Sequence, residues 1–91
     1  MHTEKPWFLY IVRCRDNTLY AGVSNCVEDR IRKHNDGTGA KYTAGRRPVE
    51  LVYAEEHPNR NSAMSREVQI KSLRREKKEQ LIDCERGEHL G

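Results

Sequence analysis

Long apolar runs are missing from this 91-residue chain: mean hydropathy is -0.98, and nothing approaches the roughly 18 to 20 consecutive apolar residues of a membrane-crossing helix. Its start, Met1 to Pro6, has no apolar targeting core, so the reading is a cytoplasmic protein with no membrane contact. Cysteine is scarce. Cys14, Cys26 and Cys84 are odd in number and fit neither a disulfide framework nor paired Cys-x-x-Cys knuckles, so they are expected to be reduced packing residues. Charge of a single sign is also absent: 17 Lys and Arg against 14 Asp and Glu leave +3, which permits a polyanionic partner without demanding one. At 35% hydrophobic, a chain this short closes one modest core. That implies one domain over 1–91, with a core from about 7 to 84 and a polar, frayed tail over 85–91.

Against this background Trp7 to Cys14 stands out, nearly continuous in aromatic and β-branched residues, as suits a strand covered on both faces. Leu19 to Val23 follows after Asp16-Asn17, predicting a hairpin. Ser24 or Asn25 is expected to cap a helix that Gly37 stops. Gly37 to Pro48 reads as an irregular basic loop and Val49 to Ala54 as a third strand. Asn61 or Ser62 is expected to cap a second helix over Ala63 to Leu73, and a last helix runs to about Cys84. The order β-β-α-β-α-α predicts an α+β fold, a small three-stranded antiparallel sheet flanked by helices.

Three polar residues break the helical pattern. With Val27 at zero on a wheel of about 100° per residue, Ile31 falls near +40°, His34 near -20° and Arg30 near -60°. Both polar residues thus join the apolar stripe, and two accounts stay open: edge residues satisfied locally, or parts of a shared site. On the later helix, Glu67 falls inside the apolar arc defined by Ala63 and Ile70, where it needs a cation or a metal; an i,i+4 pair with Lys71 is the plainer alternative.

Phe8-Leu9-Tyr10, Tyr20-Ala21-Gly22, Arg30 with His34, and Glu67, in that order and spacing, resemble the GIY-YIG nuclease domain. His34 to Thr43, Arg46-Arg47-Pro48 and Leu51-Val52-Tyr53 look more specifically like its small stand-alone bacterial members. The resemblance implies hydrolysis of nucleic-acid phosphodiesters, DNA ahead of RNA, with one Mg²⁺ or Mn²⁺. It assigns Tyr10 as general base, Tyr20 as water-orienting, Arg30 as the phosphate-neutralising cation, His34 as support for the tyrosine or phosphate, and Glu67 as metal ligand. Such assignments make chemical sense. A guanidinium grips phosphate at two points, and a hard divalent ion takes one carboxylate plus waters and phosphate oxygens. A free phenol with a pKa of about 10 is some three units too weakly ionised at pH 7, roughly 4 kcal/mol, which Arg30, a protonated His34 or the metal would offset.

Phe8 replaces the first glycine of the family motif, Ala21 a β-branched residue, and no asparagine follows Glu67. The last departure favours an alternative, a nucleic-acid-binding module that has lost turnover. A third reading, a purely structural interaction protein, leaves Arg30, His34 and Glu67 unrelated. Lys41, Arg46 and Arg47 are the candidate backbone-contacting residues, and a protein partner is a further expectation where large DNA-recognition domains are missing. The two tyrosines also carry a geometric condition. A two-residue Asp16-Asn17 turn puts them on opposite faces, so a shared site predicts a three-residue Asp16-Asn17-Thr18 loop or a bulge near Gly22.

Overall fold

A computed structural model describes residues 5–87. Three antiparallel strands, β1 (Trp7–Arg13), β2 (Leu19–Ser24) and β3 (Glu50–His57), form a sheet in the order β2-β1-β3. Helices α1 (Val27–Asp36) and α2 (Lys41–Ala44) lie between β2 and β3, and α3 (Arg60–Lys71) and α4 (Arg75–Gly87) follow. The expected α+β architecture is present. Among the described residues, no helix is long and apolar enough to cross a membrane.

β1 is central because its apolar side chains fill both faces. Leu9 and Ile11 pack with Ala21, Ile70 and Ile82 under α3 and α4, while Tyr10 and Val12 pack with Cys14 and Val49, flanked by Val27 and Ile31 of α1. This is the two-sided burial that its unbroken apolar sequence predicts.

The hairpin loop meets the parity condition, with its boundaries shifted by one residue. Cys14 pairs with Thr18 across a three-residue loop, Arg15 to Asn17: Cys14 N–H donates to Thr18 O at 2.8 Å and Asn17 N–H to Cys14 O at 2.8 Å. Asn17 takes φ 73°, a conformation that asparagine tolerates, and the Asp16 carboxylate accepts from Thr18 N–H and Oγ1–H, excluding Thr18 from the loop. Tyr10 therefore pairs with Gly22 and Val12 with Tyr20, which brings both tyrosines to one face.

Several boundaries differ from expectation. The cap of α1 is Cys26; the Ser24 hydroxyl instead accepts from Cys26 N–H in the turn before it, and Gly37 at φ 90° ends the helix as expected. The basic loop contains the short helix α2, whose Thr43 is fully buried. β3 continues to His57, and α3 starts at Arg60 because the Asn59 side chain, ahead of Asn61 and Ser62, accepts from Ser62 N–H at 2.9 Å. Of the cysteines, only Cys14 packs in the core; Cys26 and Cys84 lie on solvent-facing positions. α4 extends through Gly87 into the expected frayed tail, and the remainder of that tail lies outside the described residues.

Candidate active site

A cleft of about 410 Å³ opens beside the edge strand β2, and four of the five sequence candidates line it. Tyr10 enters from β1, Tyr20 from β2, Arg30 from α1 and Glu67 from α3. Gly22 opens space for Tyr10: a Cβ there would stand 2.5 Å from the phenol oxygen. Tyr20, two residues from Gly22 and therefore diagonal to Tyr10 across the pair, meets the His34 ring edge-on at 5.5 Å between centroids.

His34, the fifth candidate, stands behind Tyr10. It is fully buried, and its Nε2 lies 2.9 Å from Tyr10 Oη. Of the two roles expected for it, the structure supports contact with the tyrosine. Its Nδ1 lies 2.8 Å from Thr43 Oγ1 and 3.4 Å from Ala40 N. Gly39 lets that loop close over the ring, since a Cβ there would be 2.6 Å from Nδ1. Burial pushes the imidazole below its usual 6.5, and the nearby Arg30 charge pushes the same way. A protonated His34 is therefore disfavoured as the cation that eases Tyr10 ionisation. Burial raises the Tyr10 phenol above its usual 10, and the nearby Arg30 guanidinium acts against that rise. Arg30 is thus the protein cation that offsets the phenol's burial.

Glu67 keeps 22% of its side chain exposed and pairs with Lys71 at 3.2 Å, so the plainer alternative holds in the structure alongside the cleft position. Lys71 also lies 5.7 Å from the centre of the Tyr20 ring. No group of three or more His, Cys, Asp or Glu side chains suited to a metal occurs among the described residues. The donor set fits a hard divalent ion only as one carboxylate, with water and a bound phosphate completing the shell.

The loop cations behave differently. Arg46 donates to Asp16 at 3.1 Å and to Tyr42 O at 2.7 Å, and it stacks 4.1 Å from the Tyr42 ring centre. Arg47 donates to Ala44 O at 2.8 Å and sits by a separate shallow hollow with Arg15 and Asn35. Lys41 is exposed at the start of α2. None of the three lines the cleft.

Arg60 does line it, stacked 5.7 Å from the Trp7 ring, and sequence reasoning missed it. A signal existed, since Arg60 precedes Glu67 by about two helical turns and shares its face. Thr43 carried no comparable signal, because its partner His34 is reached only through the fold of the loop.

The family model described as the GIY-YIG catalytic domain matches residues 6–80. The chain is 54% identical to UPF0213 protein HQ_3675A of Haloquadratum walsbyi, over 84% of this chain and 85% of that protein. It is 49% identical to UPF0213 protein YazA of Bacillus subtilis, over 88% and 81%. Among solved structures, UPF0213 protein BH0048 from Bacillus halodurans superposes with a TM-score of 0.57 at 43% identity, covering 87% of this chain and 84% of that one.

Proposed function

Because the chain belongs to the GIY-YIG catalytic domain family, we propose that it is a metal-dependent nuclease hydrolysing DNA phosphodiester bonds, directed by substrate structure or by a protein partner. The observation that carries this reading is the convergence of Tyr10, Tyr20, Arg30 and Glu67, from four different elements, on one cleft. A divalent ion, Mg²⁺ or Mn²⁺, would supply Lewis-acid stabilisation of the developing phosphate charge, with Glu67 as its protein ligand. Arg30 grips a non-bridging phosphate oxygen and remains charged as negative charge accumulates. The Tyr10 phenolate takes a proton from the attacking water, which Tyr20 orients, and His34 holds the Tyr10 oxygen from behind. Lys41, Arg46 and Arg47 are proposed contacts to the nucleic-acid backbone away from the cleft.

The Glu67–Lys71 ion pair favours a second reading, a nucleic-acid-binding module of the same fold without turnover. One experiment separates the two: labelled single-stranded, duplex, flapped and branched DNAs are incubated with Mg²⁺ or Mn²⁺ and wild type, Arg30→Ala or Glu67→Gln. Cleavage lost in both variants, with circular dichroism unchanged, supports the nuclease. Salt-sensitive binding without cleavage supports the binding module. Paramagnetic broadening by Mn²⁺ of resonances around Glu67, absent in Glu67→Gln, tests the metal independently of turnover.

A further inference from the structure

We propose that Thr43 is a positioning residue: with the Ala40 N–H, it fixes His34 as the Nε2–H tautomer, so that His34 donates its only ring hydrogen to the Tyr10 oxygen. The function this serves rests on the nuclease reading, while the tautomer itself does not.

The argument turns on a donor that cannot rotate. A hydroxyl can swing between partners, but a backbone N–H points where the chain directs it, and the Ala40 N–H points at His34 Nδ1 from 3.4 Å. A hydrogen on Nδ1 would oppose that N–H, which tips the ring toward a bare Nδ1, although at 3.4 Å the contact is too long to hold the tautomer without the hydroxyl. The Thr43 hydroxyl, 2.8 Å away, then gives its hydrogen to the same nitrogen. A competing acceptor for that hydroxyl, Ala40 O at 3.0 Å, already receives the Thr43 and Ala44 N–H groups at 3.2 Å each, so losing the hydroxyl leaves it satisfied. With Nδ1 accepting, the one hydrogen of the neutral ring resides on Nε2, 2.9 Å from Tyr10 Oη. His34 and Thr43 are both fully buried, which excludes bulk water as a substitute partner.

The chemistry follows from direction. A donor behind the phenol stabilises its ionised form, the form that accepts a proton from water, and turns the hydrogen of the neutral form toward the cleft. The opposite tautomer would aim a lone pair at a phenolate oxygen. Thr43 thus acts on the proposed base through His34, without touching the substrate.

The test is long-range ¹H–¹⁵N correlation NMR of the His34 ring at neutral pH, on wild type, Thr43→Val and Thr43→Ser. The expected result is a bare Nδ1 and a protonated Nε2 in wild type and in Thr43→Ser, and a mixture of tautomers in Thr43→Val. A protonated Nδ1 in wild type overturns the proposal, even if the valine variant fails to fold. An unchanged tautomer in a folded Thr43→Val also overturns it. Where wild type cleaves DNA, Thr43→Val should lower kcat roughly tenfold with KM unchanged, and serine should restore it, as for other partners that orient a catalytic group from behind. The expected tautomer in a wild type that cleaves nothing leaves this inference standing and removes the nuclease reading alone.

Discussion

Replacing Gly22 by alanine tests whether space, and not backbone conformation, dictates glycine opposite Tyr10. Among the described residues, only Gly37 of the glycines has a positive φ, so Gly22 has a backbone that alanine can adopt. The conflict is steric: the new Cβ would lie 2.5 Å from Tyr10 Oη and 2.7 Å from its Cζ. Tyr10 is 1% exposed, and although it borders the cleft its ring is packed against its neighbours, so it must shift, costing about 1 to 3 kcal/mol. Losing the bond to His34 adds about 0.5 to 1.5 kcal/mol. Alanine's advantage in a strand returns roughly 0.5 to 1 kcal/mol. The net loss is about 1 to 3 kcal/mol, read as a fall in urea midpoint and, for a domain of this size, a drop in Tm of roughly 5 to 20 °C. A double-mutant cycle isolates the cause. In a Tyr10→Ala background the obstructing ring is gone, and Gly22→Ala should be neutral or slightly stabilising. Equal cost in both backgrounds would refute the close-approach argument and place the effect in the strand itself.

Removing the α3 cap with Asn59→Ala should cost about 0.5 to 2 kcal/mol by denaturant titration; because α3 carries Glu67 and Arg60, Mn²⁺ broadening should weaken with it. Bidentate bonding by Arg13 holds the Glu79 carboxyl at about 2, below its ordinary 4.5, with Arg75 assisting. A depressed carboxylate pKa contributes stability above the unfolded value and loses it as pH falls through the folded one. Glu79→Gln should therefore be less stable than wild type at pH 7, by about 1 kcal/mol after discounting for solvent screening, with the gap closing between pH 4.5 and about 2. Arg46→Ala should cost about 1 kcal/mol by thermal melting, because its guanidinium links Asp16, Tyr42 O and the Tyr42 ring; a change within about 0.5 kcal/mol would leave it free for phosphate. Tyr10→Phe strands the His34 donor in the core and should cost about 1 to 3 kcal/mol, whereas the triple variant with His34→Leu and Thr43→Val should recover most of that loss by calorimetry while remaining inactive.

The candidate site was legible where it broke a local rule. Arg30 and His34 sat in the apolar stripe of α1, and both turn toward Tyr10 and the cleft region. Glu67 was the polar exception on α3, and it lines the same cleft. The shared face of the tyrosines followed from strand parity alone, yet the loop boundaries did not. Asp16 bonding to Thr18, a local side-chain choice, decided between two loops of equal length. Helix starts were misplaced because α1 begins after Cys26 with no side-chain cap, the Ser24 hydroxyl being used in the turn before it, while α3 is capped by Asn59, one of several candidates there. Thr43 was hidden in a stretch that composition marks only as loop, and its burial depends on α2 packing against α1.

Burying a phenol, an imidazole and a hydroxyl together is a poor way to fill a core of this size. Three apolar side chains of similar volume would need no partners, while this trio is tolerable only because each polar atom meets another at 2.8 to 2.9 Å. Every neighbour must then fit the arrangement, which explains the two glycines pressed against it, Gly22 on Tyr10 and Gly39 on His34. The surrounding strand and helix patterns are consistent with one another, so the conflict is confined to a single line running from the α2 loop through α1 to the cleft. At its inner end the line meets a backbone N–H, and at its outer end it presents a phenol oxygen beside Arg30. Among the described residues of this line, Tyr10 alone borders the cleft, which is where the proposed base would need its oxygen.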